Sequence, residues 1–200
     1  MKSIFFIAEQ DTLLGTLLNL RNPNALVDFS QPARFSMPAP KELPYVPEYL
    51  IDFDDTVEAL RRFVGESLYK GFMRLDYLVA IPDDCTDIET RAIDEMMICC
   101  GAKGCTTEYQ AFLLSSDAEY LAVTMSKRSV IVTHVCEDSE DTEQIFIDRN
   151  DDLSERIHEA CEMLDESGAL PVYTYRVPAD LQVGTPVSSE ALIRNFVRLQ

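Results

Sequence analysis

The order of patterns along the chain occurs twice, and this repetition restricts the possible folds more than any single residue does. Ile4 to Ala8 and Leu13 to Leu20 are apolar runs rich in strand-forming residues, parted by the polar Glu9-Gln10-Asp11-Thr12, and they read as a hairpin. A third extended piece is expected from Ala25 to Phe29. Five prolines between Pro32 and Pro47 then argue against regular structure and mark a connection. Asp54-Asp55-Thr56 offers N-cap chemistry for a helix whose Val57, Leu60, Val64 and Leu68 share one face, with Gly71 as its stop. Leu75 to Ile81 reads as a buried strand. Thr86-Asp87-Ile88-Glu89 fits a capping box, opening a helix with Ile88, Ala92, Met96, Ile93, Met97 and Cys100 on its apolar side and Gly101 at its end. Lys103 to Thr107 is expected to add a strand, followed by a short helix from Glu108 to Leu114.

After Ser115-Ser116-Asp117 the order begins again. Tyr120 to Met125 and Ser129 to Val135 form a hairpin around Ser126-Lys127-Arg128, and Glu143 to Ile147 supplies a third strand. A helix carrying Leu153, Ile157, Ala160, Cys161 and Leu164 on one face runs to a Gly168 stop. Leu170 to Arg176 is the next strand, and Ser188 or Ser189 caps a last helix through Leu199. Each half therefore reads hairpin, third strand, helix, strand, helix. The reading is an α/β chain of two related halves, 1–115 and a shorter 116–200.

Composition narrows the function classes. Asp and Glu number 35 against 17 Lys and Arg, a formal charge of -18, and such a field repels nucleic-acid phosphates and anionic lipid. Hydrophobic residues make up 46% of the chain, enough for a real core. No window approaches the ~20 apolar residues of a membrane-spanning helix, so membrane insertion is not expected. The start of the chain lacks a secretory pattern, and a cytoplasmic location is the expectation. Six cysteines stand without any Cys-x-x-Cys or Cys–His ligand spacing. They read as small apolar core residues in a reducing compartment, and no metal site is expected. The acidic stretch Glu137 to Glu143 lacks the spacing and glycine of a calcium loop and reads as a solvated connection. His134 and His158 have no partner pattern for catalysis. Asp83-Asp84, just before the second helix, reads as a dipole and capping feature. No G-x-S-x-G, Walker loop or G-x-G-x-x-G occurs, and the chain is expected not to be an enzyme and to need no cofactor.

Between Ile51 and Ala111 the sequence resembles a known family. Ile51-Asp52-Phe53-Asp54-Asp55-Thr56-Val57-Glu58-Ala59-Leu60-Arg61-Arg62-Phe63 is similar to the "IADFDVTEAMLRYF" stretch of MreB, the bacterial actin homologue. Leu78-Val79-Ala80-Ile81-Pro82 resembles that family's "VCVP" strand, Glu89-Thr90-Arg91-Ala92-Ile93 its "ERRAI" helix, and Gly101-Ala102-Lys103 its "GAR" turn. The resemblance implies two ribonuclease H-like halves of the actin/Hsp70 type, with mixed sheets flanked by helices, and it agrees with the internal repetition.

The likeness fails at the loops that hold nucleotide in that family. Its "DLGT" phosphate loop corresponds to Ala8-Glu9-Gln10-Asp11-Thr12, which has no glycine to let backbone N–H groups approach phosphate. Its "DIGGGT" loop corresponds to Val123-Thr124-Met125-Ser126-Lys127-Arg128-Ser129, without the acid or the glycines. Its "EEP" turn corresponds to Thr107-Glu108-Tyr109. Asp11, Thr12, Ser126, Lys127 and Glu108 are thus candidate vestigial phosphate-loop positions. Asp11 has the chemistry to hold magnesium and Lys127 with Arg128 to attract an anion, while exposed polar hairpin tips account for them without any ligand. The implied role is a shortened actin-like protein acting through a protein partner or self-association, in cell-shape or cytoskeletal organisation by family analogy. An ATPase with an atypical site and a small-molecule binding module in the cleft between the halves are the alternatives.

Overall fold

The computed structural model describes residues 2–9, 11–20, 29, 31–36, 52–137, 142–149 and 152–199. Chain contacts divide them into two units. The first comprises the described residues of Met1–Ile81 and Cys85–Glu108; the second comprises Pro82–Asp84 and those of Tyr109–Leu199.

In the first unit, β1 (Lys2–Ala8) and β2 (Thr12–Asn19) form the expected hairpin, paired from Lys2 with Asn19 to Ala8 with Leu13. β3 (Ala33–Ser36) adds antiparallel to β2, β4 (Asp76–Ile81) adds parallel to β1, and β5 (Cys105–Tyr109) completes the order β3-β2-β1-β4-β5. Central strands are covered on both faces, which explains why β1 is a continuous apolar run rather than an alternating one: Ile4, Phe5, Phe6 and Ile7 are all fully buried. Helix α1 (Phe53–Phe63) contributes Val57 and Leu60 to this core, and α2 (Asp87–Cys99) contributes Ile93, Met96 and Met97. Phe6 meets Tyr77 edge to face at 5.6 Å, and Phe35 of β3 meets Phe63 of α1 at 5.4 Å.

The capping box of α2 forms as the sequence predicts. Thr86 Oγ1 accepts from the Glu89 N–H at 3.3 Å, and the Glu89 carboxylate accepts from the Thr86 N–H at 2.7 Å. Gly101 follows the helix at φ 115°, a conformation that L side chains rarely adopt.

Several expectations for this unit are corrected. The third strand is Ala33–Ser36, inside the proline-rich stretch; residues 25–28 and 37–47 lie outside the described residues, and Phe29 is in no strand. α1 starts earlier than predicted: Asp52 is its N-cap, without a side-chain cap bond, and Asp54, Asp55 and Thr56 fall in the first turn. There the acids favour the helix dipole. The α1 pattern ends at Phe63 and continues as a π-helical turn, Val64–Leu68, well before Gly71. Ile88 does not join the apolar side of α2 but is 74% exposed.

The second unit repeats the topology. β6 (Glu119–Met125) and β7 (Ser129–Cys136) form a hairpin, β8 (Glu143–Asp148) pairs antiparallel with β7, and β9 (Val172–Tyr175) lies parallel to β6. A two-residue β10 (Thr185–Pro186), which the sequence did not suggest, extends the sheet in the order β10-β9-β6-β7-β8. Read from the third strand outward, this is the order of the first sheet.

Helix α3 (Leu153–Leu164) buries Ile157 and Ala160 against Val123, Val130, Val132 and Ile147. Because side chains alternate along a strand, Tyr120 and Thr124 point to the opposite face from Val123. That face meets the 3-10 turn Gln110–Leu113, shorter than the helix expected over Glu108 to Leu114, and the Tyr120 hydroxyl donates to the Ala111 carbonyl at 2.8 Å. Helix α4 (Ser189–Leu199) buries Leu192, Ile193 and Phe196 and is capped by Ser188, whose Oγ accepts from the Ala191 N–H. Asn195 donates to the Leu113 carbonyl at 2.9 Å. Among the described residues no helix is long and apolar enough to cross a membrane.

Candidate functional site

Among the described residues, a dense polar cluster is built where the β6–β7 turn receives the segment Pro82–Asp84. Ser126 shapes the turn: its N–H donates to the Ser129 carbonyl at 2.9 Å, while its Oγ accepts from the N–H groups of Arg128 and Ser129 at 2.9 and 3.1 Å. A serine hydroxyl that binds backbone two and three residues ahead fixes a tight turn without glycine. The hydroxyl's own hydrogen is then aimed at Asp84 Oδ2. The same carboxylate oxygen accepts from Arg128 Nε at 3.1 Å and Ser129 Oγ at 3.3 Å, and the Asp84 carbonyl accepts from Arg128 Nη2 at 2.6 Å. Arg149 donates to the Ser126 carbonyl at 3.2 Å, adding a third cation beside Lys127 and Arg128.

Burial gives these contacts weight. The Asp84 side chain is 6% exposed and that of Arg128 19%, so the pair is largely shielded from solvent. A shielded pair is stable only with good geometry and with its remaining polar sites bonded. Here Asp84 Oδ2 is well supplied, while Oδ1 is buried and has no hydrogen-bond partner.

Asp83, next in the chain, lies deeper. One carboxyl oxygen accepts from the Ala111 N–H at 2.9 Å and the other meets the Thr124 hydroxyl at 2.6 Å. Burial raises its pKa to about 7, and the neighbouring Asp84 pushes in the same direction, against the lowering effect of the Thr124 and Ala111 bonds. Asp83 and Asp84 therefore do not serve the helix that follows them; Thr86 caps it, and the two acids are bonded into the second unit. Arg128 is likewise held on Asp84 rather than simply exposed at a hairpin tip.

The predicted positions are distributed as follows. Ser126 lies at the centre of the cluster, and Lys127 is exposed at the turn. Asp11 and Thr12 lie at the β1–β2 turn of the first unit, where the Thr12 hydroxyl donates to Asp11 Oδ1 at 3.0 Å and accepts from Arg34 Nη2 at 3.3 Å. The Glu9 N–H donates to the Thr12 carbonyl at 2.8 Å. Glu108 is half-buried on β5, also in the first unit. Sequence reasoning missed Asp83, Asp84, Thr124 and Arg149 as members of a site. The available signal was an acid pair after a buried strand together with a Ser-Lys-Arg-Ser turn, but nothing in either segment names the other.

Other candidates resolve separately. All six cysteines are free, and only Cys100 is buried, so the expectation of uniformly buried thiols is corrected. Burial raises the Cys100 and Cys161 thiols to about 11, which opposes thiolate chemistry. His134 Nε2 is 2.9 Å from Glu119 Oε1, and His158 Nδ1 is 2.6 Å from the Ser154 carbonyl. The residues 138–141 of the acidic stretch lie outside the described residues.

No family model matches the chain. No curated protein matches it in sequence. Solved structures do match in shape. The ethanolamine utilization protein EutJ from Carboxydothermus hydrogenoformans superposes with a TM-score of 0.62 at 10% identity, covering 98% of this chain and 88% of that chain. The inorganic polyphosphate/ATP-glucomannokinase from Arthrobacter sp. strain KM gives 0.56 at 10% identity, over 99% and 97% of the two chains. The AlfA filament bound to AMPPNP gives 0.55 at 9%, over 89% and 82%.

These likenesses show an actin/Hsp70-type fold and do not confirm the narrower MreB assignment. They also correct the expectation that the chain is not an enzyme: a kinase has the same fold over nearly the whole chain, so the frame gives no ground for that exclusion. At such identities the comparison reaches the fold alone, and the chain has the actin-type architecture of two mixed sheets flanked by helices.

Proposed function

We propose that this chain works by self-association on an actin-type frame, in the range of cytoskeletal organisation that its MreB-like segment implies. The observation that carries the reading is the adjacent pair Phe72 and Met73, which are 107% and 73% exposed. Covering a large apolar side chain contributes about 1.5–3 kcal/mol, so an uncovered pair at one point is a source of association energy. A second copy is the chosen occupant because AlfA, of the same fold, is described as a filament. The charge of -18 opposes any contact between copies, and salt screens that repulsion.

Sedimentation velocity over a concentration series tests the proposal. Larger species are expected to grow with protein concentration and with added sodium chloride, and to diminish in a Phe72→Ser/Met73→Ser variant. Sedimentation as a monomer throughout, or an unchanged series in the variant, refutes it. Assembly that requires magnesium and ATP would favour the alternative of an ATPase with an atypical site.

A further inference from the structure

Strand β8 ends the order of the second unit's sheet, so among the described residues only one side of its backbone has a strand partner, β7. An open strand edge offers a row of N–H and C=O groups and templates a further strand, and proteins commonly blunt it with proline, a bulge or charge. β8 has no proline, and its register with β7 is unbroken from Glu143 with His134 to Asp148 with Ser129. Its charges are the two exposed acids at its ends, Glu143 and Asp148.

The sheet face beside this edge is open as well. Side chains alternate along the strand, so Ile145 and Ile147 pack into the core beneath α3 while Phe146 lies on the other face beside its register partner Ile131. Ile131 and Thr133 of β7 are fully buried, whereas Phe146 is 54% exposed. The layer covering this face therefore reaches β7 and stops before β8. A strand added to the edge would set a side chain beside Phe146, a cross-strand contact that contributes about 0.2–1 kcal/mol.

The charges select the occupant. A second copy of β8 paired antiparallel over its full length would place Glu143 opposite Asp148 at both ends, and an in-register parallel copy would set each acid beside itself. Like charges directly opposite one another destabilise a ladder. The formal charge of -18 likewise attracts a cationic segment and repels a copy. Arg149, the next residue, donates to the Ser126 and Lys127 carbonyls at 3.2 and 3.5 Å, which draws its guanidinium to the β6–β7 turn.

We infer that β8 is a docking edge for an extended basic peptide of a partner protein, bound as an additional antiparallel strand. Because such a strand runs opposite to β8, it carries a Lys or Arg facing Asp148, then an aliphatic residue facing Phe146, then a Lys or Arg facing Glu143. This edge is separate from Phe72 and Met73, so it stands whether or not copies associate through them.

The test is fluorescence anisotropy of a labelled synthetic peptide, Ser-Gly-Lys-Thr-Val-Thr-Thr-Lys-Gly-Ser, titrated with the full chain at about 0.15 M sodium chloride, where attraction is screened beyond about 8 Å. Saturable binding with a Kd below about 1 mM is expected. Replacing the peptide's threonines by proline keeps its charge and removes backbone donors, and replacing both lysines by glutamate reverses its charge; each should weaken binding at least about tenfold. In the protein, Phe146→Ser should weaken binding about threefold, and Glu143→Lys/Asp148→Lys should exchange the preference, so that the glutamate peptide binds better than the lysine peptide. Absent binding, equal binding of the proline peptide, unaffected binding in Phe146→Ser, or an unaltered preference in the charge-reversed variant overturns the inference. So does sedimentation of the peptide-free chain as a larger species that Phe146→Ser dissociates, because a second copy is then the occupant. If the charge-reversed variant does not unfold cooperatively, the proline and glutamate peptides decide the matter on the unchanged chain.

Discussion

Replacing Asp83 by asparagine isolates the energetic effect of one buried proton. Asp83 is 4% exposed, bonded to the Ala111 N–H and the Thr124 hydroxyl, and titrates at about 7 in the folded chain against an ordinary value of 3.8. Below 3.8 folded and unfolded chains both hold the proton, and the contribution to stability is fully present. Between 3.8 and about 7 the folded chain keeps a proton that the unfolded chain has released, so stability falls as pH rises. Above 7 both forms are ionised and the loss is complete. At about 1.4 kcal/mol per pH unit, this interval amounts to about 4 kcal/mol.

Asparagine has nearly the same shape, can accept from the Ala111 N–H and donate to the Thr124 oxygen, and carries no charge at any pH. The two chains share every other titrating group, so the difference between their unfolding free energies cancels the remaining acids. Urea unfolding at a series of pH values from 4 to 8.5 is the assay. The stability of Asp83→Asn relative to the unchanged chain should rise by a few kcal/mol across the series and level off above pH 7. A difference that is flat with pH, or that moves against the variant as pH rises, refutes the assignment of a neutral buried carboxyl.

Two smaller perturbations test the local structure. Thr86→Ala removes one half of the reciprocal cap of α2 and should cost about 1 kcal/mol, read as a lowered unfolding midpoint. Gly184→Ala should cost about 1–3 kcal/mol, because the residue has φ 51° and an added Cβ would lie 2.5 Å from the Val172 carbonyl oxygen; an unchanged midpoint would contradict the placement of β10 beside β9.

What the sequence revealed followed physical pattern. β1, β2, β6 and β7 were legible because apolar strand formers flank short polar turns, and α2 because Thr86 and Glu89 stand at the spacing of a reciprocal cap. β3 was not, since four residues between prolines bury only Phe35 and take their order from pairing with β2. Ile88 was misplaced because helical spacing ranks positions around a cylinder without saying how far the covering layer extends. The polar cluster was least legible of all. Asp83 and Asp84 sit beside a helix start, where acids have an ordinary local explanation, and their actual partners lie on a different segment, 41 to 45 residues onward at Thr124, Ser126 and Ser129. Local pattern describes neighbours in sequence, whereas this site is a product of the long-range fold.

The path of the chain through its two units bears on how the protein can be dissected. Because Pro82–Asp84 belongs to the second unit while the residues before and after it belong to the first, no single cut yields both units whole. A fragment that begins at Tyr109 lacks the carboxyls that satisfy Arg128, Thr124 and the Ala111 N–H, and a fragment that ends at Glu108 carries two acids stripped of their donors. The repeated topology suggests a tandem of interchangeable halves, but the covalent thread makes them interdependent, and expressing either half alone would report on the severed bonds as much as on the half itself.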